Sequence, residues 1–140
     1  MRRRLIPFAI MLCLFAPRGV AQLPQLQAAA ETVRRAWATH DVSGVVASGA
    51  EILVQLPGAD PAPAVQRSQA AALLRGFLAG GSELQVTVRS AREIEPAVGY
   101  VELERRFRVA GTQEIRSQRV LLGYRRGGGH WELAELRVVE

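Results

Sequence analysis

The C-terminal stretch GGGHWELAELRVVE, residues 127–140, decides how this chain folds. Read as a strand, its apolar residues start on one face, at Trp131 and Leu133, and continue on the other, at Ala134, Leu136 and Val138. Side chains alternate with period two, so a strand with one buried face keeps a single parity. Two arrangements reconcile the switch. A β-bulge near Ala134–Glu135 turns Leu136 and Val138 back toward the side of Trp131 and Leu133; otherwise both faces are buried, the second of them in a dimer. The bulge also bends the strand, which matters once the rest of the chain is read.

Working back from this end, the sequence contains three further strand patterns. ELQVTVRSARE (83–93) alternates Leu84, Val86 and Val88 against Gln85, Thr87 and Arg89. VGYVELERRFRV (98–109) places Val101, Leu103, Phe107 and Val109 on one face, and EIRSQRVLLGY (114–124) has Val120, Leu122 and Tyr124 in phase. Gly111-Thr112 and the glycines at 127–129 are hairpin turns. The N-terminal half is helical. Leu23, Leu26, Ala30, Val33, Trp37 and His40 recur at steps of three and four, giving one apolar stripe. Asp41 is a helix N-cap for a short helix that packs Val42, Val45 and Val46 inward. Ile52, Val54 and Leu56 share a face of a strand that Pro57 stops, and a Pro-rich loop follows. A third helix is capped by Ser68, carries Ala71, Leu74, Phe77 and Leu78 on one side and ends at Gly80-Gly81. Helices segregated from short-turned strands define an α+β domain. Three helices cover one face of about five antiparallel strands only if the sheet is strongly curved, and bulges are the usual device for that.

The first 21 residues read as a secretory leader rather than as part of the fold. A basic MRRR precedes the apolar LIPFAIMLCLFAP, and Gly19 and Ala21 occupy the −3 and −1 places of a cut after Ala21. The apolar run is shorter than the roughly 20 residues of a spanning helix and holds two prolines. Cys13 follows Leu12 rather than a small residue, which argues against lipid attachment. The expected domain is residues 22–140, exported to the bacterial periplasm or beyond. It has no cysteine and so depends on packing rather than disulfides. Of the 18 basic residues, four arginines leave with the leader; the remaining 14 face 13 acidic ones. That near-neutral balance withdraws support for a nucleic-acid partner, and no membrane attachment is expected once the leader is cut.

Three stretches carry a resemblance: the helix-to-strand passage Asp41–Leu56, SQAAALLRGFL at 68–78 and ELAELRV at 132–138. In this order they resemble the nuclear transport factor 2-like superfamily of cone-shaped α+β domains. More narrowly they resemble a family of exported bacterial domains of unknown function, DUF4783-like, over roughly residues 24–140. The resemblance implies a curved sheet cupping three helices. The superfamily spans ketosteroid isomerases, dehydratases and polyketide cyclases as well as binding and assembly domains, so the fold does not choose among them. The narrower family assigns no activity, and no functional residue is carried over from it.

Enzymes of this shape place an acid or base inside the cone, where burial shifts its pKa. The catalytic candidates are His40, at the end of the first stripe beside Asp41, and Asp60, in the Pro-rich loop. Each also has an ordinary structural use, as a charge at a helix C-terminus and as a turn former. His130, after three glycines, is expected at the surface. Arg105 shares parity with Val101, Leu103 and Phe107, which offers it an inward position, and there it would need a carboxylate or an anionic ligand. Arg119, in phase with Ile115 and Leu121, is a second such candidate; a bulge or frayed hairpin end turns both arginines outward, and because strands of this fold bend, that is the favoured reading. Trp37, Phe77 and Trp131 fit core positions and are candidates, with Arg105, for lining a ligand cavity. Two isolated histidines and no mature cysteine supply no metal set, and no nucleophile elbow, phosphate loop or dinucleotide fingerprint is present, so no cofactor is expected.

These readings favour a non-enzymatic exported domain that binds a small apolar ligand or a protein partner of the cell envelope. The alternative is a small cofactor-free isomerase, dehydratase or cyclase working in the cone pocket. A homodimer through the outer sheet face, at Ile115, Leu121 and Val139, is a further expectation.

Overall fold

A computed structural model describes residues 22–140. The leader, its cut after Ala21 and Cys13 lie outside the described residues. Helix α1 (Gln22–Ala38) is followed by α2 (Val42–Val46), β1 (Glu51–Gln55), β2 (Val65–Gln66) and α3 (Arg67–Leu78). Four long strands complete the chain: β3 (Gly81–Glu95), β4 (Val98–Val109), β5 (Ile115–Gly127) and β6 (His130–Val139). The strands form one curved sheet in the order β2-β1-β6-β5-β4-β3. About five antiparallel strands were expected; there are six, and β1 runs parallel to β6. The extra strand, β2, is the tail of the Pro-rich loop, pairing Val65 and Gln66 with Ile52 and Glu51. Among the described residues no helix is long and apolar enough to cross a membrane.

The α1 stripe packs as its spacing requires: Leu26, Ala30, Val33 and Trp37 are all buried. The helix ends in a Schellman motif, with the Asp41 N–H donating to the Ala36 carbonyl at 2.8 Å and the His40 N–H donating to that of Trp37 at 3.0 Å. His40 therefore lies beyond the helix rather than on it, at φ +57°, in the left-handed position that favours glycine. Asp41 caps α2 as expected, its carboxylate accepting from the Gly44 N–H at 3.1 Å. Ser68 does not cap α3. That helix starts two residues earlier, with Gln66 as N-cap and its N–H donating to Gln69 Oε1 at 3.1 Å.

The switch of face in β6 resolves as a bulge. Gly123 pairs with Glu135 and Tyr124 with Leu133, which leaves Ala134 as the extra residue. Trp131, Leu133, Leu136 and Val138 consequently all enter one core. Beyond the reach of β1, the Leu133 N–H finds the Ser48 hydroxyl at 3.1 Å. The β5–β6 turn is Gly128-Gly129, both at positive φ, which suits a tight hairpin.

Strand β3 departs from its simple alternation. Its pairing with β4 shifts register between Glu83 and Gln85, between Val88 and Ser90, and between Glu93 and Glu95. The first shift makes Leu84 the extra residue. Leu84, expected in the core, is 45% exposed, while Glu83, expected outside, stands opposite the inward-facing Phe107. The three irregularities bend the edge strand around α1, which is what the cone needs.

A buried arginine–carboxylate cluster at the mouth of the cone

Arg105 points into the cone, as its parity on β4 requires, and is 1% exposed. Its counter-charge is Glu83, brought inward by the bulge at Leu84. Arg105 Nη2 donates to Glu83 Oε1 at 2.5 Å and Nε donates to Oε2 at 3.2 Å, a side-on bidentate pair. Arg105 Nη1 donates to Gln118 Oε1 at 3.3 Å, and Gln118 Nε2 in turn donates to Glu140 Oε1 at 3.0 Å. The guanidinium lies over Phe107, 3.9 Å from the ring centroid, with Phe77 at 5.4 Å and Trp37 at 5.8 Å. Burial pulls the Arg105 pKa down, and the Glu83 charge and hydrogen bonds oppose that shift. The guanidinium stays protonated at any ordinary pH.

His40 joins the cluster from the end of α1. Its Nε2 lies 3.1 Å from Glu83 Oε1 and its side chain is 31% exposed. The neighbouring Asp41 is not its partner, because the Schellman turn aims the imidazole at β3 while the Asp41 carboxylate caps α2 as expected. The left-handed backbone at His40 sets this direction.

A cavity of about 210 Å³ opens where the cluster meets the end of the cone. Arg105, Phe77, Phe107 and Gln118 line it, and Arg116 and Glu140 stand at its rim. Glu83 is 3% exposed and is not part of the cavity wall. A larger groove of about 790 Å³ runs over the outer sheet face past Tyr100, Gly123 and Glu135; none of the candidate residues lines it.

The structure thus brings together four of the residues singled out from sequence: His40, Trp37, Phe77 and Arg105. Trp131 is buried elsewhere. It packs over Gly99, six residues along β4 from Arg105 and so roughly 20 Å away, with Arg126 over its ring at 5.7 Å. Asp60 is exposed in the loop between β1 and β2, outside the cluster. Arg119 faces outward and lies 3.6 Å from Glu102. His130 is exposed at the last hairpin, 3.3 Å from Glu132. Among the described residues no group of three or more His, Cys, Asp and Glu side chains is placed to hold a metal ion.

Glu83, Gln118 and Glu140 were missed. The signal for Glu83 was indirect: a lone arginine on an apolar face demands a carboxylate, and only a bulge could supply one from a strand whose simple parity turns Glu83 outward.

Comparison with known proteins places this geometry. No family model matches the sequence, and no curated protein does. Solved structures match over nearly the whole domain. A ketosteroid isomerase-like protein from Erwinia carotovora atroseptica superposes with a TM-score of 0.70 at 15% identity, covering 85% of this chain and 95% of that one. A DUF4783 family protein from Bacteroides ovatus gives 0.62 at 12% identity, over 76% and 90% of the two chains. An NTF-2-like protein of unknown function from Shewanella oneidensis gives 0.59 at 7% identity, over 84% and 98%. With the bent six-stranded sheet, the bulged final strand and the helices held inside the curve, these likenesses establish that the chain has the nuclear transport factor 2-like, ketosteroid isomerase-like α+β cone fold.

Proposed function

We propose that this chain is an exported domain, of the same kind as its DUF4783 neighbours, that holds a small molecule at the mouth of its cone and does no chemistry on it. One observation carries this reading. The carboxylate inside the cone, Glu83, is engaged by both Arg105 and His40 and stands behind the cavity wall. A general base must come within hydrogen-bond reach of the proton it removes, and Glu83 faces its own arginine instead. The cavity itself suits binding: Phe77 and Phe107 give an apolar wall, and Arg105 and Gln118 give a few fixed polar groups. Its size suits a small ring, since a cavity of about 150 Å³ suffices for benzene. Export is supported by the leader pattern of residues 1–21. The test is protein-observed NMR of the purified protein, titrated with a panel of small cyclic molecules. Binders should perturb Phe77 and Phe107 resonances, and a panel with no binder refutes the reading.

A second reading rests on the 3.1 Å contact between His40 and Glu83, an imidazole oriented by a carboxylate and partly open to solvent. It makes the domain a cofactor-free isomerase, dehydratase or cyclase with His40 as the base. Deuterium exchange at the α-carbon of a simple ketone, abolished by His40→Gln, would replace the binding reading with this one.

A further inference from the structure

Arg105 does not use all of its hydrogen-bonding capacity on the protein. A guanidinium carries five N–H donors. Nε and one Nη2 hydrogen go to Glu83, and one Nη1 hydrogen goes to Gln118. Among the described residues the remaining two, one on each Nη, meet no acceptor. They belong to a side chain that is 1% exposed and that forms part of the cavity wall. A buried donor without a partner is costly, so this pair marks where an acceptor from outside the chain belongs.

The charge around the cavity narrows the class of that acceptor. Arg105 is already matched by Glu83, and Arg116 at the rim pairs with Glu114 at 2.8 Å. Glu140 adds a third carboxylate, held by Gln118. Two guanidiniums, with the His40 imidazole also against Glu83, therefore face three carboxylates, Glu83, Glu114 and Glu140. An anionic ligand would enter a site whose positive charge is already answered. A cationic ligand would suit the balance but brings nothing for the two donors to bind. An uncharged carbonyl satisfies both conditions, with its oxygen on Arg105 and its carbon body against Phe77 and Phe107.

We infer that the cavity at the cone mouth is a site for a small uncharged carbonyl compound of about ring size, read by the two unclaimed N–H groups of Arg105. This rests on the binding reading above and adds its ligand chemistry. The cavity holds the liquid volume of about seven waters, which fits one six-membered ring and its oxygen.

The experiment uses the purified protein and four probes of similar size: cyclohexanone, cyclohexanecarboxylate, cyclohexylamine and benzene. Affinities are measured by ligand-observed NMR titration. Cyclohexanone should bind at least tenfold more tightly than the acid, the amine or benzene. In the paired variant Glu83→Leu/Arg105→Met, which removes the donors together with the buried counter-charge, cyclohexanone should lose about tenfold to a hundredfold. Benzene, which needs only the aromatic wall, should bind the variant as it binds the parent. Preference for the acid or the amine, or equal binding of cyclohexanone and benzene, overturns the carbonyl assignment while the binding reading stands. Loss of benzene along with cyclohexanone in the variant overturns the role given to the Arg105 donors. Failure of all four probes on the parent protein overturns the binding reading itself.

Discussion

Replacing Arg105 with methionine keeps an unbranched apolar stem, shorter than the arginine, and removes the charge. Glu83 is then left 3% exposed with His40 as its remaining partner. A unit-charge pair about 4 Å apart at an effective dielectric constant of about 20 is worth about 4 kcal/mol. Breaking a buried pair by removing one member typically costs about 3–5 kcal/mol, because the other charge stays behind. Arg105→Met is expected in that range, and Glu83→Leu, which strands the guanidinium, on the same scale. The double variant should behave differently. It strands nothing, and a buried pair replaced by apolar groups of similar size is often neutral. Its main loss is the guanidinium over Phe107, about 0.5–2 kcal/mol. The double-mutant cycle should therefore return a coupling of about 3 kcal/mol or more, far beyond the scatter of independent sites. Urea unfolding at neutral pH, followed by tryptophan fluorescence, measures all four proteins. Unchanged m-values would show that each unfolds from the same fold. If Arg105→Met costs less than about 1 kcal/mol, or the double variant costs the sum of the singles, the cluster is not the buried ion pair on which the site depends.

Three further outcomes follow from single residues. Gly49→Ala should destabilise by about 2–3 kcal/mol in the same unfolding assay. A β-carbon there would lie 2.5 Å from the Leu133 carbonyl oxygen and 2.7 Å from Ile52, and the carbonyl belongs to backbone that cannot step aside. Ala97→Gly should stabilise by about 0.5–1 kcal/mol, read as a higher urea midpoint, because Ala97 follows Pro96 in the β3–β4 turn at φ +67°, where glycine carries no side-chain penalty. Burial pushes the Tyr124 hydroxyl above the ordinary tyrosine value of 10.0. Below that pH both folded and unfolded chains keep the proton; above it the unfolded chain ionises first, so stability falls as pH rises, by up to about 1.4 kcal/mol per pH unit. Tyr124→Phe should remove that part of the alkaline slope, and parallel curves for parent and variant between pH 9.5 and 11 would contradict the burial of the hydroxyl.

The tertiary consequences of β6 were legible because its pattern conflicts with itself. Trp131 and Leu133 cannot share a core with Leu136 and Val138 unless one residue is left over, and Ala134 is that residue. Arg105 was half legible: parity from Val101 to Phe107 offered it an inward position, but only the unbroken pairing of β4 with β5 removed the bulge that would have turned it outward. The glycine-like turn at His40 was not legible, because a Schellman motif usually takes glycine, and the spacing of the apolar stripe carries His40 along the helix.

The sequence by itself determined the helices, the order of the long strands and the bend in the last one. Each follows from local periodicity or from a capping residue, which a chain carries wherever it folds. Only the tertiary structure decided that Glu83 answers Arg105, that β1 lies parallel to β6 and that Gln118 and Glu140 join the cavity. Those outcomes depend on register, and register is set by the partner strand. When β3 pairs with β4, one extra residue at Leu84 reverses the face of Glu83, and nothing within ELQV alone records that the extra residue is there.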